Sequence, residues 1–357
     1  MAVTPMFGDD PRPSIAPTDD APISSELSDR LVPVAVSFLR RRVRLLDLRG
    51  ANGREQSFRH TVSRWIAEHP QLAPIEMEWP AFVAAARQAP SSAPAGFVFN
   101  ASRCGSTLLA NMLSAPIGHL TLKESSTIGV LLRELLVTAS ESERLELEDL
   151  LAATLPLFGR IVGPRDGRPG PRLFVKPHSL ATVSAATLLR LFPTTPAVFL
   201  YRDPMMVVAS MLAKAPYGDL HNRPREETVA DFPALGDLPS DLPAAAFYAY
   251  LWASPVESVL ALPPGQCLLI DYEELVSSPL AVIQRLTRHF GIERSHDTIV
   301  RMSAVTAVYA KDASGLTPFD PGGAHHRPPP SLVQRAEVSI VAEDLYARLK
   351  ARRRAQM

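Results

Sequence analysis

Phe97-Val98-Phe99-Asn100-Ala101-Ser102-Arg103-Cys104-Gly105-Ser106-Thr107-Leu108-Leu109 reads as a short buried strand, a tight loop and the start of a helix. Leu108, Leu109, Met112 and Leu113 share one face of the predicted helix Ser106 to Leu113. The loop carries Arg103, Gly105, Ser106 and Thr107 where the free N–H groups of a helix N-terminus point, and that geometry holds phosphate. Gly105 lets the backbone approach an anion with no Cβ in the way. Ser106 and Thr107 offer hydroxyls, and Arg103 offers a paired, charge-assisted contact. The glycine-rich run and the Gly-Lys pair of nucleoside triphosphate loops are missing, so a different donor is implied.

Outward from this stretch the pattern of strand, loop and helix repeats. Strands are expected at His119 to Lys123, Leu173 to Val175, Ala197 to Tyr201 and Cys267 to Ile270. Helices are expected at Thr127 to Val137, Ser142 to Phe158, Leu180 to Phe192, from Pro204, Ala244 to Leu262, Pro279 to Phe290 and Ser331 to Arg354. Such alternation implies an α/β fold, a mainly parallel central sheet flanked by helices on both faces. Gly163 to Pro171, Tyr217 to Pro243 and Ala313 to Pro330 read as loops, the second long enough for a lid or substrate loop.

Residues 1–23, rich in Pro and Asp, read as a disordered tail. Residues 24–95 read as a small N-terminal helical appendage, with helices at Phe58 to Glu68 and from Trp79 through Arg87. Within it, Leu31 to Leu48 is apolar and interrupted by Arg40-Arg41-Arg42. Residues 96–357 form the α/β domain.

Composition narrows the class. The 357 residues carry 37 basic and 37 acidic side chains, which gives no reason to expect nucleic acid or an anionic membrane as partner. Five of the basic residues are Lys (123, 176, 214, 311 and 350) and the rest Arg, a bias that makes the lysines worth locating. Two cysteines, Cys104 and Cys267, make no disulfide framework. The acidic N-terminus lacks the apolar core of a signal peptide, and no window has the length of a membrane span. A cytoplasmic protein is expected.

A second constellation follows the strand at Ala197 to Tyr201: Tyr201-Arg202-Asp203-Pro204, with Ser210 eight residues after Arg202. Arg202 falls at a strand's C-terminal edge, where open α/β sheets bind ligands, and Ser210 falls almost two turns into the helix that Pro204 begins. Together the two constellations resemble the sulfotransferase family, whose donor is 3′-phosphoadenosine 5′-phosphosulfate (PAPS). Ser102 through Leu109 is similar to that family's 5′-phosphosulfate loop. Tyr201-Arg202-Asp203-Pro204 with Ser210 is similar to its 3′-phosphate motif. Asp271-Tyr272-Glu273-Glu274-Leu275 followed by Pro279 resembles a further family segment, read as structural. The resemblance spans about residues 96 to 300 and implies PAPS as co-substrate, no metal, and a small-molecule, lipid or glycan acceptor. It implies that Arg103, Cys104, Gly105, Ser106, Thr107, Arg202 and Ser210 hold the donor. Cys104 stands where the family often has Ser, and reads as a small loop residue rather than a nucleophile.

Sulfuryl transfer needs a base for the acceptor's proton and cations for the charge on the leaving phosphate. Two bases are available. Glu124 follows the second strand, 21 residues after Arg103, where several family members have a catalytic glutamate. His178 follows the third strand in Lys176-Pro177-His178, similar to the family's Lys-x-His. Glu124 is the first choice, with His178 as alternative or acceptor-orienting group, and Lys176 is assigned to the bridging oxygen. His325-His326-Arg327 lies in a loop able to close over the nucleotide. The rival readings are a P-loop kinase or NTPase, which would need a loop lysine and an acidic Mg²⁺ ligand, and a catalytically silent nucleotide-binding scaffold.

Overall fold

The computed structural model describes residues 22–51, 53, 55–162, 172–213, 217–222, 224–236, 238–239, 241–312, 316–319 and 330–356. The tail up to residue 21, the loop at 163–171 and the His325-His326-Arg327 segment lie outside the described residues.

Two sheets organise the described residues. β1 (Leu31–Ser37), β2 (Arg42–Asp47) and β3 (Ile75–Glu78) form an antiparallel sheet in that order. β4 (Gly96–Asn100), β5 (His119–Lys123), β6 (Arg172–Lys176), β7 (Ala197–Tyr201) and β8 (Cys267–Asp271) form the main sheet, parallel throughout, in the order β5-β6-β4-β7-β8. The chain builds β5 and β6 on one side of β4, then crosses to build β7 and β8 on the other. The C-terminal edge of β4 is therefore the point where strand order reverses, and a crevice opens there between the diverging connections.

β4 and β7 are buried along their whole length, which explains their unbroken apolar sequences. Their side chains alternate between two cores, as the two-residue period of a strand requires. Phe97, Phe99, Phe199 and Tyr201 face one core, which also holds Trp252 of the helix Ala244–Leu260 and Leu345 of the helix Leu332–Arg354. Val98, Val198, Leu200 and Ile270 face the other, against Leu109 of the helix Ser106–Ser114 and Leu286 of the helix Pro279–His289. The helices thus cover both faces, as the alternating pattern implied.

The segment read as a helical appendage needs correction. Its two helices form at Phe58–Glu68 and Trp79–Gln88, but β1 to β3 make it a mixed α+β unit. Arg41, in left-handed conformation (φ 51°), turns the chain between β1 and β2, so the basic run marks a hairpin. Val32, Val43, Leu45, Phe58 and Phe82 join the same core as Phe97 and Phe99, so this unit packs directly on the main sheet's helices.

Other elements also differ from expectation. The helix predicted over Leu180 to Phe192 divides into a 3-10 turn, Ser179–Ser184, and a helix, Ala185–Leu191, because the Thr182 hydroxyl is drawn to the main chain of Asn100. The stretch read as one long loop, Tyr217 to Pro243, contains a 3-10 turn at Tyr217–Asn222, a helix at Arg225–Asp231 and a 3-10 turn at Pro233–Leu235. Two further helices, Tyr272–Ser277 and His296–Ala304, start at side-chain caps from Asp271 and Ser295. None of the helices among the described residues is long and apolar enough to cross a membrane.

Candidate active site

The loop after β4 is shaped by three residues in left-handed conformation: Ser102 (φ 65°), Arg103 (φ 47°) and Gly105 (φ 81°). Only glycine adopts this conformation without cost, so Ser102 and Arg103 carry strain, which is common at ligand loops. Gly105 has a second constraint, since a Cβ there would lie 2.9 Å from the Tyr272 ring. The helix Ser106–Ser114 starts at once, with no side-chain cap among the described residues on the N–H groups of its first turn.

Below the loop, Asn100 Oδ1 accepts hydrogen bonds from the Ser102 N–H and the Ser106 hydroxyl, each 3.3 Å. Cys104 points away from the crevice. Its thiol donates to the Leu200 carbonyl (3.1 Å) in the core, and burial pushes its pKa up to about 11. Its contribution to a ligand is therefore its backbone, and the side chain acts as a small packing residue. Thr107 is half-buried in the first helical turn.

The second constellation meets the first. The helix Pro204–Leu212 follows β7, capped by Asp203, whose carboxylate accepts the Met205 N–H at 2.8 Å. Ser210 is buried in this helix, and its hydroxyl accepts a 2.9 Å hydrogen bond from Arg103 Nε, joining residues 107 positions apart. Arg202 is buried as well. Its guanidinium lies 4.1 Å from the centre of the Tyr272 ring, a cation–π contact, and its Nε is 3.8 Å from the Glu273 carboxylate. Among the described residues that Nε has no hydrogen-bond partner. The Arg202 carbonyl accepts from the Trp252 indole at 3.1 Å, which fixes the turn from behind.

Glu124 and Lys176 stand at the neighbouring ends of β5 and β6. Glu124 takes a left-handed conformation (φ 48°), and its N–H donates to the Lys176 carbonyl at 2.8 Å. The Lys176 ammonium, buried at 3% exposure, donates to the Glu124 carboxylate. Burial raises the Glu124 pKa, but the charges of Lys176, His178 and Lys311 and the Lys176 hydrogen bond outweigh it and hold the group at about 2. Lys123 pairs in register with Lys176 and donates to Asn111 Oδ1 at 2.9 Å. Burial, with the Lys176 charge beside it, lowers its pKa to about 8. Three of the chain's five lysines thus act on Glu124 or its partner. His178 caps the turn Ser179–Ser184 through Nδ1, which accepts the Leu180 N–H at 3.4 Å, and its ring stacks on Phe232 at 6.2 Å.

Every residue assigned to the site by sequence therefore lies at or beside the C-terminal edge of the main sheet, with the Cys104 side chain turned inward. Three participants were not anticipated. Asn100 gave the weak signal of an amide at a strand end, and Lys123 that of a lysine in a lysine-poor chain. Tyr272 lay in a segment read as structural, and only its packing over Gly105 and Arg202 gives it a place in the site. Among the described residues no cluster of three or more metal-ligating side chains occurs.

A five-stranded parallel sheet flanked by helices, with a loop and a helix start at its switch point and a second arginine turn beside it, defines an α/β fold of the P-loop-like kind. The model of the sulfotransferase family matches residues 94–297, more than half of the chain, and the chain belongs to that family. Solved structures similar to it include the sulfotransferase domain from the curacin biosynthetic pathway (17% identity, TM-score 0.41), covering 72% of this chain and 99% of that one. Sulfotransferase STF9 from Mycobacterium avium is 15% identical, with TM-score 0.42 and coverage of 80% of this chain and 81% of that one. Mouse sulfotransferase SULT7A1, solved with PAP, is 13% identical, with TM-score 0.36 and coverage of 74% and 88%. Among curated proteins no sequence match is found.

Proposed function

We propose that the protein transfers a sulfuryl group from PAPS to a hydroxyl or amine of a small-molecule, lipid or glycan acceptor. The observation that carries this reading is the hydrogen bond from Arg103 to Ser210. It joins two loops that are separate in sequence, which supports a donor with both a 5′-phosphosulfate and a 3′-phosphate. Arg103, Ser106, Thr107 and the backbone of Cys104 and Gly105 take the 5′ end. Arg202 and Ser210 take the 3′-phosphate, with Tyr272 holding the Arg202 guanidinium flat.

The reaction is an in-line displacement at sulfur. The acceptor oxygen or nitrogen forms the new bond to sulfur as the bond from sulfur to the bridging oxygen breaks. The acceptor's proton goes to Glu124, or to His178 as the alternative. The electron pair leaves with the phosphate, whose charge Lys176 and Arg103 stabilise. Glu124 is ionised throughout the physiological range and so able to accept a proton, while its low pKa makes it a weak base for as long as Lys176 is paired with it.

The kinase reading loses support because Asp203, the acid within the second motif, is engaged as a helix cap. A screen of hydroxyl and amine acceptors with labelled PAPS tests the proposal. Label transfer that is lost in Glu124→Gln or His178→Ala, with donor binding retained, is expected. The absence of transfer to any acceptor, with both variants indistinguishable from wild type, would favour a silent scaffold.

A further inference from the structure

We propose that Asn100 is a positioning residue that couples the donor loop to the His178 side of the site. This inference rests on the functional reading above. Asn100 ends β4 and is 2% exposed. Its carboxamide is divided between two connections. Oδ1 accepts from the Ser102 N–H and the Ser106 hydroxyl, both in the donor loop. Nδ2 donates to the Pro177 carbonyl (3.4 Å), one residue before His178 on the connection after β6. Its main chain is held as well: the N–H donates to Thr182 Oγ1, and the carbonyl accepts from the same hydroxyl, each at 3.3 Å. Thr182 lies in the turn that His178 caps.

The arrangement has three consequences. The strained, left-handed Ser102 needs an anchor, and Asn100 supplies it directly. The Ser106 hydroxyl spends its proton on Asn100, so the side toward the crevice presents oxygen lone pairs unless the hydroxyl turns to an arriving anion. An anion that draws the hydroxyl away relieves one of the two demands on Oδ1, and the amide, fixed at Nδ2, passes that change to the Pro177-His178 peptide. A carboxamide suits this task because it offers an acceptor and a donor on one planar group. An ionised Asp supplies only acceptors and Ala supplies neither.

The test uses adenosine 3′,5′-bisphosphate as probe and needs no acceptor. The dissociation constant is measured by calorimetry for wild type, Asn100→Ala, Ser106→Ala and the double variant. The His178 ring resonance, assigned by its loss in His178→Ala, is followed by NMR with and without the probe. Asn100→Ala is expected to weaken binding about tenfold, because both hydrogen bonds from the loop to Oδ1 are lost. The double variant should lose less affinity than the sum of the two single losses, because the Ser106–Asn100 hydrogen bond is lost in both. Saturation with the probe should shift the His178 resonance in wild type and leave at least half of that shift missing in Asn100→Ala.

If Asn100→Ala does not fold, the isosteric Asn100→Asp decides. It keeps both acceptors for the loop and loses the donor to Pro177, so the His178 shift should again shrink at saturating probe. An unchanged shift in whichever variant folds, or additive effects in the double variant, would overturn the proposal. Failure of the wild type to bind the probe at all would instead overturn the functional reading, so the two outcomes are distinct.

Discussion

Replacing Lys176 by Met tests the electrostatics of the site in a way that stability measurements can read. Lys176 is 3% exposed and Glu124 is 30% exposed, so the pair is largely shielded from water. The Glu124 pKa is depressed from 4.5 to about 2, with burial opposing the shift and the Lys176 charge as the largest of the causes that lower it. A depressed carboxyl pKa stabilises the folded state above the unfolded value and loses that contribution as pH falls through the folded value. At about 1.4 kcal/mol per pH unit the full shift corresponds to about 3 kcal/mol, and screening at the exposed part of Glu124 reduces this to about 2 kcal/mol. Methionine fills the space of the lysine stem but leaves Glu124 without its main partner. Urea unfolding at pH 7, 5, 4 and 3 should find Lys176→Met less stable by about 2 kcal/mol at pH 7. The deficit should fade between pH 5 and pH 2, because protonated Glu124 no longer needs the ammonium. All other carboxylates titrate alike in both proteins and cancel in the difference. A deficit that is the same at every pH, or no deficit at pH 7, would refute the reasoning.

Other expectations follow from the same geometry. Gly105→Ala should cost about 2–4 kcal/mol in urea unfolding, from the left-handed backbone and from forcing the Tyr272 ring away from a Cβ at 2.9 Å. The displaced ring should weaken adenosine 3′,5′-bisphosphate binding as well, because it supports Arg202. Cys104 should resist thiol reagents in the folded state, since its thiol is buried and its pKa is about 11, and rapid labelling of the native protein would contradict that placement. If Glu124 is the base, the rate of transfer should show no acid limb near neutrality in wild type, because the carboxyl stays ionised far below pH 7. An acid limb near neutrality would instead assign the proton transfer to an imidazole rather than to Glu124.

The parts of the fold legible in the sequence were those governed by local pattern. β4 and β7 stood out because a parallel strand buried on both faces is an unbroken apolar run, and Phe97–Phe99 and Ala197–Tyr201 are such runs. Pro204 and Ser331 announced helix starts by their own chemistry. The N-terminal sheet was missed because Arg40-Arg41-Arg42 breaks the apolar segment at the hairpin turn and β3 is only four residues long.

The candidate site divides along the same line. Arg103, Gly105, Ser106, Arg202 and Ser210 were readable because each sits in a short motif with fixed spacing. The inward turn of Cys104 was not, since it depends on the Leu200 carbonyl 96 residues away. Tyr272 and Asn100 act through contacts between connections that only the assembled sheet brings together: Tyr272 with Gly105 and Arg202, Asn100 with Pro177 and Thr182.

The central claim is that the loops after β4 and β7 form one site for a nucleotide bearing phosphates at both the 3′ and 5′ positions. Calorimetry with adenosine 3′,5′-bisphosphate in the presence of a chelator, beside ATP with Mg²⁺, tests it most directly. The account predicts metal-independent binding of the bisphosphate that is lost in Arg202→Ala and weakened in Ser210→Ala, and far weaker binding of ATP. Tight, Mg²⁺-dependent ATP binding with none of the bisphosphate would contradict it.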